Sequence, residues 1–198
     1  MRILLVGAGG VGSAFCAIAA RRDFFEEVVV ADYARESADR AVAEVDDPRF
    51  TSALVDASDA GSVERLARES GATHVMNAVD PRFVMPIFEG ALAAGADYLD
   101  MAMSLSKPHP ERPYAETGVK LGDEQFAMGQ KWESADRLAL VGIGVEPGLS
   151  DVFARYAADH LFSEIDELGT RDGADLTVDG ADGEPCLLYT SPSPRDRS

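Results

Sequence analysis

The sequence predicts a doubly wound α/β fold: a parallel sheet with helices on both faces. Three observations predict it. Short apolar, β-branched runs alternate with helical-period segments over the first 160 residues. Gly7, Gly9 and Gly12 form a G-x-G-x-x-G loop between the first run and the first helical segment. Asp32 closes the second run, twenty residues after Gly12. The 198 residues are 46% hydrophobic and 27% charged, a balance that supports a buried core. That length holds one domain of about 150 residues and part of another.

Arg2–Val6 (RILLV) reads as a buried strand, and Val11–Arg22 as a helix with Val11, Phe15, Ile18 and Ala19 at helical spacing. Glu27–Ala31 is a second strand, followed by a helix over Glu36–Val45. Thr51–Val55 is a third strand, with Ser62–Glu69 the helix after it. His74–Val79 is a fourth strand, and Val84–Ala94 a helix turning Val84, Ile87, Phe88, Ala91 and Leu92 inward. Asp97–Met101 is a fifth strand, Gly122–Ser134 a polar helix, Leu138–Ile143 a sixth strand and Leu149–Leu161 a last helix. Right-handed crossovers leave the doubly wound order as the leading topology. Met103–Leu121, with three prolines, is a long non-periodic loop of the kind that forms functional or interface surfaces.

The expected domains are a dinucleotide-binding domain over 1–152 and, over 153–185, a linking helix with the truncated start of a substrate domain. Weak strand character at Leu176–Val178 belongs to that second piece. The last thirteen residues, CLLYTSPSPRDRS, switch abruptly to Ser, Pro and Arg. The first eleven of them back-translate cleanly into the adapter of a transposase-based sequencing library, with Arg197 and Ser198 read from barcode; a natural Ser/Pro-rich tail is the alternative. Residues 186–198 are therefore expected to be an artefact and disordered, with the natural gene continuing past Pro185. The expectation is then an N-terminal fragment, inactive alone because half of its cleft is missing.

Eighteen Lys and Arg face 35 Asp and Glu, a formal charge of −17. Residues 1–185 hold 16 cationic and 34 acidic residues, or −18. That balance argues against nucleic acid and against an anionic membrane surface, since phosphate binding needs clustered cations. No apolar run reaches the roughly 18 residues of a spanning helix. The apolar start is too short for a secretory signal. Cys16 and Cys186 are too few for a disulfide framework, so the expected compartment is the reducing cytoplasm.

Each part of the glycine loop has a physical reason. Gly7 allows a tight turn, Gly9 lets the backbone approach a pyrophosphate, and Gly12 lets helix and strand pack closely. Gly10 and Val11 open the helix, whose free amides and dipole favour phosphate. Asp32 is placed to bind both ribose hydroxyls of NAD and to repel a 2′-phosphate; Arg35 and Arg40 nearby leave NADP open. Asp56 and Ala57 are expected near the adenine, with a cap or turn role as the alternative for Asp56. Asn77, Ala78 and Val79 end the fourth strand, where ligands bind in open α/β sheets; an Asx-turn is the alternative for Asn77.

The glycine loop, Asp32, Asn77-Ala78, Tyr98-Leu99-Asp100 and Gly142-x-Gly144-x-x-Pro147-Gly148, in that order, resemble the saccharopine dehydrogenase family. The resemblance runs from Met1 to about Gly183, and the GIGVEPGLSD segment is its more specific part. It implies an oxidoreductase that binds NAD or NADP in an N-terminal Rossmann domain. It implies an imine–amine step on an amino-acid-like substrate, in a cleft shared with a second α/β domain. Strand two ends in Asp32 rather than the Ser-Arg pair of NADP-using members, which favours NAD. A homodimer through the second domain is the expected partner besides the small-molecule substrate.

Oxidising an amine needs a proton acceptor, because an ammonium cannot lose hydride. Glu146, at the family position facing the cleft, and Asp100, ending strand five, are the candidates; Asp151 is weaker. Lys107, His109 and Arg112 cluster in the long loop, where a substrate carboxylate could dock; a solvated loop or dimer contact is the alternative. His74, His109 and His160 are too scattered for a metal site, and Cys16 reads as core. There is no G-x-S-x-G, and no tyrosine is followed four residues later by lysine. A non-catalytic dinucleotide module, acting as a redox sensor or interaction domain, is the alternative function.

Overall fold

The structure is a computed structural model that describes residues 1–171, 177–179 and 185–187. Strands β1 (Arg2–Val6), β2 (Glu27–Asp32), β3 (Phe50–Leu54), β4 (His74–Asn77), β5 (Asp97–Asp100) and β6 (Ala139–Leu140) form one sheet. Their order is β3-β2-β1-β4-β5-β6, with every pairing parallel. Val6 sits in register with Ala31 on one side and Asn77 on the other. The strand order reverses at β1, which opens a crevice at the carboxyl ends of β1 and β4.

Alternation along the strands builds two cores. Leu5, Val28 and Val30 face helices α1 (Gly10–Ala19) and α2 (Arg35–Val45), burying Cys16, Ala38 and Ala41. Leu4, Val29, Val75 and Tyr98 face the other way, against α3 (Ala60–Glu69) and α4 (Val84–Ala94). There Val63, Ile87 and Phe88 are buried, each contributing roughly 1.5–3 kcal/mol. Phe88 meets Tyr98 edge-on with centroids 5.0 Å apart and Trp132 at 4.8 Å. Gly90 lets α4 touch α3: a Cβ there would lie 2.7 Å from the Ala60 carbonyl oxygen.

Three elements differ from expectation. The helix expected over Gly122–Ser134 is two pieces, α5 (Asp123–Phe126) and α6 (Gly129–Ser134). It breaks ahead of Gly129, a weak helix former, and α5 turns Gln125 into the interior. The expected six-residue strand Leu138–Ile143 shrinks to Ala139–Leu140. At Gly142 (φ +70°) the backbone leaves the ladder, and the Gly142 and Ile143 amides bond to Asp100 instead. In the first helix, Val11 and Ile18 face solvent rather than core.

The chain divides into two compact units, Met1–Leu149 and Ser150–Ser198. Helix α7 (Leu149–His160) begins at the junction. In the second unit, β7 (Thr177–Asp179) pairs antiparallel with β8 (Pro185–Leu187), Val178 opposite Cys186. Of the segment expected to be an artefact, Cys186 and Leu187 lie in β8, and the rest falls outside the described residues. No helix among the described residues is long and apolar enough to cross a membrane.

Candidate functional site

The chain leaves β1 at Gly7, whose φ of +107° disfavours any other residue. A Cβ there would lie 2.6 Å from the Ala78 carbonyl oxygen. A Cβ on Gly12 would sit 1.9 Å from the Gly7 carbonyl oxygen, so those two glycines let loop, helix and β4 touch. Gly9 is different: no atom lies within 4 Å of a Cβ built on it. Helix α1 starts after Gly9 with no side-chain cap and no acidic residue in its first turn, which Gly10, Val11 and Gly12 form. Its leading amides are therefore left for a ligand.

Asp32 ends β2 beside this loop. Its Oδ2 accepts the Ala8 N–H at 2.8 Å and its Oδ1 the Ala34 N–H at 3.0 Å. Gly7, Gly9, Asp32, Asp56, Ala57, Ala78 and Val79 all line one cleft of about 880 Å³ at the switch point. That size falls in the range of small-molecule sites, roughly 300–1,000 Å³. Asp56 Oδ1 accepts from the Ser58 hydroxyl at 2.6 Å and amide at 2.9 Å, which holds its carboxyl below the usual range. Asp56 is thus a turn residue lining the cleft; the cap of α3 is Asp59, which accepts from Gly61 and Ser62.

Five expected cofactor residues are not among the lining residues: Gly10, Val11 and Gly12, which form the first turn of α1, and Arg35 and Asn77, whose side chains are engaged elsewhere. Arg35 pairs with Asp39 at 3.0 Å along α2 and is not among the lining residues. Asn77 is 3% exposed, with Oδ1 closing an Asx-turn on the Val79 N–H and Nδ2 donating to the Tyr98 hydroxyl. The cleft also holds residues that sequence reasoning missed: Tyr33, which is 84% exposed, and Asp80, Arg82 and Phe83. The signal for the last three was present. Asp80-Pro81 is a cap followed by a proline, and it opens a 3-10 turn over Pro81–Phe83.

Asp100 is not at the strand-end surface. Its side chain is enclosed, with the residue 1% exposed. Oδ2 accepts from the Tyr98 hydroxyl at 2.9 Å and Gln125 Nε2 at 2.7 Å, and Oδ1 from the Gly142 N–H at 2.7 Å. Burial raises its pKa, opposed by those three bonds. Burial also raises the Tyr98 pKa, and the neighbouring Asp100 charge adds to it. This carboxylate binds β5, α5 and the loop after β6 together, so it positions that loop rather than meeting a ligand.

The loop after β6 closes on itself: Gly144 N–H donates to the Pro147 carbonyl at 2.9 Å, and Leu149 N–H to that of Gly144 at 2.9 Å. Glu146 lies exposed between them, beside a cis bond to Pro147. Each member of the basic trio meets a carboxylate: Lys107 pairs with Glu124 at 2.6 Å, and His109 and Arg112 both meet Glu116. Burial pushes the Cys16 thiol up to about 11, as suits a core residue. The described residues contain no cluster of metal-ligating side chains.

The profile of the saccharopine dehydrogenase NADP binding domain matches residues 3–140. Carboxyaminopropylagmatine dehydrogenase of Synechocystis sp. is 30% identical over 171 residues, 86% of this chain and 41% of its own length. Carboxynorspermidine synthase of Vibrio alginolyticus is 30% identical over 183 residues, 87% of this chain and 43% of its own. The chain therefore spans less than half the length of these relatives. Among solved structures, saccharopine dehydrogenase (L-Glu forming) of Saccharomyces cerevisiae superposes with a TM-score of 0.60. It is 16% identical and covers 81% of this chain and 31% of its own, a likeness of fold.

Proposed function

Because the chain belongs to the saccharopine dehydrogenase family through its NADP-binding domain, we propose that it is the dinucleotide-binding part of an oxidoreductase acting on a C–N bond. The observation that carries this reading is the cleft at the switch point, where the open face of Gly9, the uncapped start of α1 and the Asp32 carboxylate meet. Gly7, Gly9, Gly10, Val11 and Gly12 would hold the diphosphate, Asp32 the adenosine ribose, and Asp56 with Ala57 the adenine end. Exposed Tyr33 would offer the adenine a ring face. The preferred cofactor is NAD: although the family profile is named for NADP, a 2′-phosphate beside Asp32 meets like charge.

A nicotinamide held here would supply the hydride transfer. The chain's own part is to orient it and to manage the amine proton. Glu146 is the proposed proton acceptor, on a loop whose base Asp100 pins through Gly142. The proposed substrates are carboxylated amines of the kind in the relatives' names. The net charge of −17 suits a cationic, polyamine-like molecule. The test is turnover by the full gene product with NAD and a series of carboxylated polyamines and amino-acid-derived secondary amines. Nicotinamide reduction with at least one is expected; dinucleotide binding without turnover of any would overturn the enzymatic reading and favour a binding module.

A further inference from the structure

We propose that Arg82 binds the diphosphate of the dinucleotide, an inference that rests on the cofactor reading above. Among the described residues, three carboxylates line the cleft, Asp32, Asp56 and Asp80, and Arg82 is the one cation beside them. A pyridine dinucleotide brings its own diphosphate charge into this acidic surrounding. The amides of α1 supply partial positive charge on one wall; Arg82, its charge shared with Asp80, supplies guanidinium donors on the wall formed by the exit from β4. That wall is next to the glycine loop, since a Cβ on Gly7 would lie 2.7 Å from Val79 Cγ1.

The guanidinium is held before any ligand arrives. Asp80 Oδ1 accepts both the Arg82 backbone N–H and its Nε–H, each at 2.9 Å, and Asp80 Oδ2 accepts from Nη2 at 3.2 Å. This fork uses one edge of the guanidinium. The Nη1 donors and the second Nη2 hydrogen have no place in the fork, and the side chain is 70% exposed. A planar cation with one edge fixed on a carboxylate, on a residue that lines the cleft, is suited to a phosphate oxygen pair. Because Asp80 caps the turn through the Arg82 backbone amide, replacing the Arg82 side chain leaves that cap in place.

Binding of NADH and NADPH to the 198-residue chain, to Arg82→Ala and to Arg82→Lys, each at several salt concentrations, tests this. Arg82→Ala is expected to bind both dinucleotides about tenfold more weakly, the loss of one charge-assisted contact. Arg82→Lys recovers part of the affinity, and the wild-type affinity falls more steeply with salt than that of Arg82→Ala. The loss persists when the pair D80N and D80N/R82A is compared, where no bared carboxylate contributes. Four results overturn the inference while leaving the cofactor reading intact: wild-type affinity in Arg82→Ala; a loss confined to NADPH, which assigns Arg82 to a 2′-phosphate; no recovery by lysine with an unchanged salt slope, which assigns it to base stacking; and disappearance of the loss in the D80N background. Failure of the wild-type chain to bind either dinucleotide overturns both.

Discussion

The Asp32 carboxylate reaches back 24 residues to accept the Ala8 N–H at 2.8 Å, so the end of β2 holds the glycine loop that follows β1. The residue proposed to grip the ribose therefore also fixes the backbone proposed to cradle the diphosphate. Asp32→Ala removes both effects. NADH affinity is expected to fall by roughly tenfold or more, and the preference for NADH over NADPH to shrink, because the repelling charge is gone. Dissociation constants for the two cofactors check this; an unchanged preference contradicts it.

Gly9 and Gly12 should separate binding from stability. A Cβ at position 12 collides with the Gly7 carbonyl oxygen, so Gly12→Ala is expected to cost about 1–3 kcal/mol or more. A Cβ at position 9 meets no protein atom, so Gly9→Ala should leave stability within about 0.5 kcal/mol of wild type while weakening dinucleotide binding. Thermal unfolding paired with NADH titration of both variants reads this out. Equal stability losses in the two would contradict it.

Asp100 gives the fold a pH dependence. Burial raises its pKa in the folded state, outweighing the bonds from Gly142, Gln125 and Tyr98. A carboxyl whose folded pKa lies above its unfolded one contributes stability fully below the unfolded value, about 3.9. That contribution is lost as pH rises through the folded value. Asp100→Asn lacks this titration and leaves donors poorly matched, so it is less stable than wild type. The gap between the two unfolding free energies should narrow from about pH 4 upward. Urea unfolding across that range tests the sign; a gap independent of pH contradicts it.

Phe88 anchors the aromatic cluster with Tyr98 and Trp132 and is 1% exposed. Phe88→Ala is expected to destabilise by about 3–5 kcal/mol, the transfer loss plus an unfilled cavity. Chemical denaturation measures it, and a cost below about 1 kcal/mol would mean that the cluster is not packed as described.

Much of the fold was legible because parallel strands and amphipathic helices carry different periods. β1 and α4 end where the sequence placed them, and the strand order follows from right-handed crossovers. In the site, Gly7, Gly9, Asp32, Asp56, Ala57, Ala78 and Val79 reach the cleft because the motif has a local steric logic. Asn77 and Asp100 were harder, because partners set by tertiary structure hold them. Tyr98 and Gln125 claim two of the polar groups through contacts 21 and 25 residues apart, which no local pattern shows. Arg35 turns along its own helix to Asp39. Arg82 was missed because it lies past the strand end, in a turn whose cap is visible but whose direction is not.

The account stands most directly on one titration: the 198-residue chain with NADH, followed by nicotinamide fluorescence, beside Asp32→Ala. Saturable binding by the wild type, weakened by about tenfold or more in the variant, is the predicted result. A flat titration with wild type, or curves that superimpose for the two proteins, would contradict it.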